Sequence, residues 1–372
     1  MAASGTGTSA GGASALAASS AGGSGSGAMA ASGTGASAGG ASALAASSAG
    51  GSGASALAAA SPGAIIPPRI RRGQTVGIVA PSGPIKPERL RAGLACLGDA
   101  FALRVAPSVT GPRAPGTPSF LSAADEIRAA ELTAMLADPD VRAIILARGG
   151  YGIMRLLPLL DPEVVRRDPK PIVGFSDATA LLAWAHRAGV RGIHGPLITQ
   201  LADLPPADIA HLIATLCEPT PPAPWPVRAH GRGVHHGALV AANLSLASLL
   251  VGTPWALPLA GAIVVLEDVG ERPYQLDRYL TQLMLTGALA GARAGVLGDF
   301  TRCRDPNPPS GEPDPEDAAI AVVLERLQAA GLPVASGAPV GHGARNAAVA
   351  FGARATLDLD RGELAILDAA VA

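Results

Sequence analysis

Gly174-Phe175-Ser176-Asp177 joins a short apolar β-forming run, Pro171-Ile172-Val173, to a stretch with helical spacing that reaches His186 without Gly or Pro. A serine on such a strand-to-helix turn is lifted off the sheet edge, beside the free N–H groups of a helix start. Those groups can stabilise an oxyanion, so the place suits a nucleophile. Ser and Asp are also common helix caps, and this stretch alone leaves Ser176 and Asp177 open to either role.

A serine nucleophile needs a base to take its proton, and the base needs an acid to hold its tautomer. The chain has seven histidines. His186 lies at the far end of the same helix, spaced so that it points away from Ser176. His211 falls on a surface helix, and His230, His235 and His236 flank a Pro-rich stretch. His235 and His236 would face opposite sides of a strand, which argues against a shared metal. His194 in Ile-His-Gly-Pro and His342 in Val-Gly-His-Gly both follow strands, and pattern alone ranks them equally. For the acid, Glu267 ends the hydrocarbon run Val264-Val265-Leu266, where an idle carboxylate is costly to bury. Period-two alternation sends Asp268 to the other face, so at most one of the two aims into a given site. The plain alternative for Glu267 is a strand end emerging into water.

The elements that would hold these residues alternate strand and helix. Strands are expected at Thr75–Ala80, Val141–Ala147, the short apolar run behind Pro171 and Val190–His194, and helices at Pro87–Phe101, Ser122–Asp138 (capped by Ser122) and Ile153–Leu160. Such alternation without tight hairpins calls for a parallel sheet covered on both faces, with ligands at the carboxyl ends of its strands. Pro81-Ser82-Gly83, Arg148-Gly149-Gly150 and Ser176 all fall at those ends. The prolines of Glu218–Trp225 mark a stiff linker. Beyond it come a strand at Ala262–Glu267, a helix at Pro273–Leu285, a strand at Ala294–Phe300, a helix near Glu316–Ala330, and short strands after Gly341-His342-Gly343. The expected division is a low-complexity Ala/Gly/Ser tail at 1–63, an α/β domain at 64–217, a linker at 218–236 and a smaller mixed α/β domain at 237–372.

The tail carries too little apolar surface to offset the entropy of ordering it, and Met29 within it is an alternative start to Met1. Net charge is −1 over 372 residues, so neither a nucleic-acid nor a membrane surface is expected. Cys96, Cys217 and Cys303 are widely spaced, which fits reduced thiols and offers no metal-ligand spacing.

Eight short motifs then occur in one order: Val-Ala-Pro-Ser-Gly at 79–83, Arg-Gly-Gly-Tyr-Gly at 148–152, Gly-Phe-Ser-Asp at 174–177, Ile-His-Gly-Pro at 193–196, Asn-Leu at 243–244, Gly-Thr-Pro-Trp at 252–255, Leu-Glu-Asp-Val at 266–269 and Gly-His-Gly at 341–343. Together they resemble the LD-carboxypeptidase family of serine peptidases, over about residues 70–368. The resemblance implies a flavodoxin- or amidotransferase-like N-terminal domain and a smaller mixed C-terminal one, with the site in the cleft between them. It implies a triad of Ser176, Glu267 and His342, with backbone N–H groups near Gly150 and Asp177 as the oxyanion hole. It further implies a cytoplasmic homodimer without metal or cofactor that takes a murein tetrapeptide and releases its terminal D-alanine. Arg148, Ser82 and Asn243 are the expected substrate contacts, Arg148 because a guanidinium fork suits a carboxylate. Ala241-Ala242 stands where the family more often has two glycines, and the added methyl groups are expected to narrow the cleft or shift a backbone contact.

Two rival functions share parts of this pattern. The microcin-immunity branch of the same superfamily cleaves an aminoacyl-nucleotide analogue with the same triad, and would want an aromatic stacking surface; aromatics make up only 3% of the chain. A non-catalytic module could cradle a phosphate at Gly149-Gly150, but the spacing is not the dinucleotide fingerprint.

Overall fold

The structure is a computed structural model that describes residues 63–309, 311, 315 and 317–372. The expected tail therefore lies outside the described residues, apart from Gly63. Strands of the first half are β1 (Thr75–Val79), β2 (Ala102–Val105), β3 (Val141–Leu146), β4 (Ile172–Gly174) and β5 (Ile193–His194). Those that follow are β6 (Trp225–Pro226), β7 (Arg228–Ala229), β8 (Val234–Asn243), β9 (Ala262–Val269), β10 (Ala294–Thr301), β11 (Val334–Ser336), β12 (Val349–Ala350), β13 (Arg354–Asp358) and β14 (Glu363–Ile366).

The fold is α/β, built on two sheets. The first has the order β12-β5-β4-β3-β1-β2 and is parallel from β5 to β2. Its inner strands are largely apolar because both faces are covered; Ile144, Ile145 and Leu146 are wholly buried. The order 2-1-3-4-5 is that of flavodoxin-like sheets and reverses direction between β1 and β3. The loops after β1 and β3 meet at that reversal, where Gly83 N–H donates to the Gly149 carbonyl at 3.3 Å.

The second sheet has the order β6-β14-β13-β8-β9-β10-β11-β7, parallel from β8 to β11 with antiparallel flanks. Part of the stretch read as a linker belongs to it: β6 and β7 form its two outer edges, where the missing N–H of Pro226 breaks no inner ladder. A late segment also crosses back, since β12 pairs antiparallel with β5 and completes the first sheet.

Two local expectations change. The helix expected from Ser122 runs Asp125–Ala137, and Ser122 does not cap it; its buried hydroxyl donates to the Ala80 carbonyl at 2.6 Å, fastening the loop after β1. The helix expected to reach Phe101 stops at Ala95, and Ala102–Val105, which alternation did not mark, forms β2 at the sheet edge.

Candidate active site

Ser176 sits between β4 and the helix Thr179–Arg187, at φ 62°. It is one of two non-glycine residues with positive φ among the described residues. A left-handed L-residue costs roughly 1–2 kcal/mol, a strain that surroundings must impose. They do so by close approach: a Cβ on Gly174 would lie 2.7 Å from Ala178 Cβ, and one on Gly149 would lie 3.2 Å from both Ser176 Cβ and Oγ. Neither Ser176 nor Asp177 makes a side-chain cap bond, so the capping alternative fails on geometry.

Asp177 is buried and turned inward. Its Oδ2 accepts from Ser82 Oγ at 2.7 Å and from Ile153 N–H at 3.0 Å. One carboxylate thus pins the loop after β1 and the helix after β3 to the serine turn. Burial is the chief reason its pKa rises to about 6, with the two donors pulling the other way. Ser82, expected at the substrate, is fully buried in this bond and does not line the cavity.

His342 Nδ1 lies 2.6 Å from Glu267 Oε2. A carboxylate only accepts, so this contact places the ring proton on Nδ1 and leaves Nε2 as an acceptor. Glu267 has no exposed surface, which rules out a strand end emerging into water. The Gly-His-Gly loop runs directly over the acids beneath it. Gly341, at φ 132°, would put a Cβ 3.0 Å from Glu267 Cβ, and a Cβ on Gly343 would sit 1.7 Å from Asp299 Oδ2. The Phe175 ring packs against the imidazole with centroids 4.6 Å apart.

The other candidate base, His194, is buried completely and also packs on Phe175, with centroids 5.8 Å apart. Burial drives its pKa down to about 3, against an opposing pull from the Ala241 backbone, and it does not line the cavity. His186 packs on Phe351, away from Ser176.

Alternation placed at most one of Glu267 and Asp268 in the site, whereas both serve it. Gly298 and Asp299 of β10 lie opposite Glu267 alone, because the β9–β10 register slips between Leu297 and Phe300. The extra residue belongs to β10, so the bulge bends that strand beside Glu267. Asn243, paired with Glu267 across the β8–β9 ladder, bridges the two acids: its Nδ2 donates to Glu267 Oε1 at 3.2 Å and to Asp268 Oδ1 at 3.0 Å. Asp268 also accepts from the N–H groups of Ser245 and Val269, both at 2.9 Å. Burial, then the charge of Glu267, raises its pKa to about 6.

A cavity of about 530 Å³ collects these groups. Ser176, Gly150 and Arg148 line it from the first sheet, and His342, Asn243 and Asp268 from the other side. Arg148 donates to the Pro84 carbonyl while facing this space. No hydrogen bond joins Ser176 Oγ to His342 Nε2 among the described residues; both border the same space. Ala241 and Ala242, expected to narrow the cleft, are fully buried in β8 and line none of it.

The histidine loop is held by residues that sequence reading did not single out. Gln200 Nε2 donates to the Gly341 carbonyl at 3.0 Å, and Gly341 N–H donates to Asn346 Oδ1 at 3.2 Å. Asp208 accepts from Asn346 N–H at 3.1 Å and from Arg345 Nε at 2.8 Å. The closeness of Asn346 to the Gly-His-Gly motif was the one available signal; Gln200 offered none. Among the described residues, no cluster of three or more His, Cys, Asp or Glu could hold a metal, and no helix is long and apolar enough to cross a membrane.

The comparisons with known proteins converge on one group. The family model for the LD-carboxypeptidase N-terminal domain matches residues 76–195, and that for the LD-carboxypeptidase C-terminal domain matches residues 236–357. A relative from Streptomyces coelicolor is 40% identical over 318 residues, covering 81% of this chain and 95% of that protein. The murein tetrapeptide carboxypeptidase of Pseudomonas aeruginosa is 34% identical over 264 residues, covering 65% of this chain and 80% of its own. The crystal structure of muramoyltetrapeptide carboxypeptidase from Oxalobacter formigenes superposes with a TM-score of 0.68 at 28% identity, over 79% of this chain and 99% of that one. The structure of MccF in complex with glutamyl sulfamoyl guanosine shares the fold, with a TM-score of 0.72 at 22% identity over 82% and 99% of the two chains. By these matches, over both halves of its described structure, the chain belongs to the LD-carboxypeptidase family of serine peptidases.

Proposed function

We propose that this chain is a serine carboxypeptidase that releases the terminal D-alanine of a murein tetrapeptide by hydrolysing its L–D bond, in cell-wall recycling. The observation that carries the reading is the 2.6 Å contact of His342 with buried Glu267 on a cavity shared with the left-handed Ser176. Residues 64–217 supply the nucleophile and 237–372 the base and acid.

In this mechanism His342 Nε2 takes the Ser176 proton as Oγ attacks the scissile carbonyl. The backbone N–H groups of Gly150 and Asp177 receive the oxyanion, in a place where fixed donors act most strongly. His342 then protonates the leaving amine of D-alanine, and water hydrolyses the acyl-enzyme with the same imidazole as base. Glu267 holds the tautomer and steadies the imidazolium, and Asn243 positions Glu267. Arg148 takes the terminal carboxylate. Catalytic hydrogen bonds often close only with substrate bound, which is where the Ser176–His342 bond forms. Acyl transfer of this kind needs no metal or cofactor. A cytoplasmic homodimer is the proposed setting, to be tested by cell fractionation and sedimentation.

The test is purified protein with a murein tetrapeptide, read by mass spectrometry, beside fluorophosphonate labelling of Ser176. Loss of one D-alanine, abolished in Ser176→Ala, is expected. Hydrolysis of an aminoacyl sulfamoyl-adenylate with no action on the tetrapeptide would overturn the reading in favour of the immunity branch. The cavity argues against that outcome: Phe175 is the only Phe, Tyr or Trp among its lining residues, and its face is taken up by His342.

A further inference from the structure

The cavity also carries, at the end of a second-sheet strand, a cation whose side chain has no partner among the described residues. Arg302 follows β10 directly, just past the Thr301–Val269 pair, and lines the cavity beside Val269 and Glu271. Its guanidinium makes no ion pair and no hydrogen bond among the described residues. The other two cavity arginines are engaged, Arg89 with Asp203 and Arg148 with the Pro84 carbonyl. Arg302 is also the second non-glycine residue with positive φ, at 58°. Its neighbours fix that conformation: Cys303 is buried, with its N–H on the Phe300 carbonyl at 3.2 Å, and Arg304 N–H reaches the Arg302 carbonyl at 3.0 Å. Backbone outliers of this kind cluster at active sites and ligand clamps.

Arg148 and Arg302 reach the cavity from the ends of strands in different sheets. Arg148 adjoins Gly149, whose Cβ position is 3.2 Å from Ser176 Oγ, so it is on the nucleophile's side. A carboxylate one residue beyond the scissile bond belongs there. A carboxylate that meets Arg302 must come from elsewhere in the substrate. The side chain of the residue supplying the scissile carbonyl branches one atom from the reacting carbon and can cross to the second wall. Glu271, on that wall, is not paired with Arg302 and instead accepts from Tyr279 Oη at 3.3 Å.

We propose that Arg302 is a specificity residue. It receives a carboxylate on the side chain of the residue that supplies the scissile carbonyl, so a diamino acid with a free side-chain carboxylate is preferred to one ending in an amine alone. The inference rests on the carboxypeptidase reading above.

Two tetrapeptides test it, alike except for meso-diaminopimelate or lysine as the third residue. Arg302→Gly suits the left-handed backbone and so keeps the fold. It should raise KM for the diaminopimelate peptide by roughly 10–10²-fold, the usual worth of a charged hydrogen bond, and leave kcat and the lysine peptide within about twofold. Arg302→Lys should restore part of the loss. Equal losses on both peptides, or no loss on either, would overturn the proposal. Calorimetric binding of both peptides to Ser176→Ala protein reads the same contrast without turnover. Equal affinities there overturn the role of Arg302, whereas tight, discriminating binding without hydrolysis by the wild type would count against the carboxypeptidase reading alone.

Discussion

Asn346 Nδ2 donates to Gln200 Oε1 at 2.9 Å, and this bond ties the loop that carries His342 to the half of the molecule that carries Ser176. The same two side chains bracket Gly341, one at its carbonyl and one at its N–H. Gln200→Ala should therefore let the imidazole drift while leaving both sheets whole. A misplacement of about 1 Å at a reacting centre costs on the order of 10²-fold, so kcat should fall by roughly 10–10²-fold with the melting temperature nearly kept. Steady-state kinetics beside a thermal melt decide it; an unchanged kcat would show that Asn346 and Asp208 hold the loop without Gln200.

Ser176→Ala and His342→Ala should each remove about 10⁴-fold of kcat, and the double variant should be scarcely worse, since the pair serves one step. Additive losses would refute that coupling. Among the acids, Glu267→Gln should be far more damaging than Asp268→Asn or Glu271→Gln, because only Glu267 touches the imidazole.

Asp268 makes stability depend on pH. Its pKa rises from 3.8 to about 6 on folding, first through burial and then through the charge of Glu267. The folded state thus keeps a proton that the unfolded chain releases. The associated stability is present below about pH 4 and is lost as pH climbs through about 6. Asp268→Asn lacks this loss, so it should gain on the wild type by ~2 kcal/mol between about pH 4 and pH 7. Urea unfolding at both pH values measures the gap, and a constant gap would contradict the assignment. Asp177 shifts in the same direction.

Gly343→Ala should cost activity and stability together. Its Cβ would occupy the place of Asp299 Oδ2, 1.7 Å away, so either the loop or the acid must move. A loss of roughly 1–3 kcal/mol is expected from such overpacking, with kcat falling as His342 shifts. Wild-type activity in this variant would mean that the loop does not need its observed path.

The strand–turn–helix around Ser176 was legible because the apolar run, the turn residues and the helical spacing agree locally. The helix Pro273–Leu285 was read at its observed ends, since proline suits a first helical turn and Gln275 accepts the Arg272 N–H at 2.9 Å. Other features answer to distant parts of the chain. Ser122 had the look of a cap, but a carbonyl just after β1 claims its hydroxyl. The irregular register beside Glu267 arises from β10, which no pattern in 264–271 reports. Gln200 and Asn346 are 146 residues apart, and neither sits in a stretch that marks it for the other. The two alanines before Asn243 altered a motif without touching the cavity, because the strand turns both into the core.

The return of β12 to the first sheet sets an order on maturation. Val349 and Ala350 cover the edge of β5, yet every other strand of that sheet is complete by His194. As the polypeptide leaves the ribosome, that edge stays unpaired while all of β6 to β11 is being made. Long-range pairings of this kind are slow to form and leave the nascent chain exposed to wrong partners. The loop bearing His342, the proposed base, emerges shortly before β12, so edge closure and delivery of that residue fall at nearly the same moment. With the triad proposed above, hydrolytic competence arrives as one late event, after synthesis has passed residue 350.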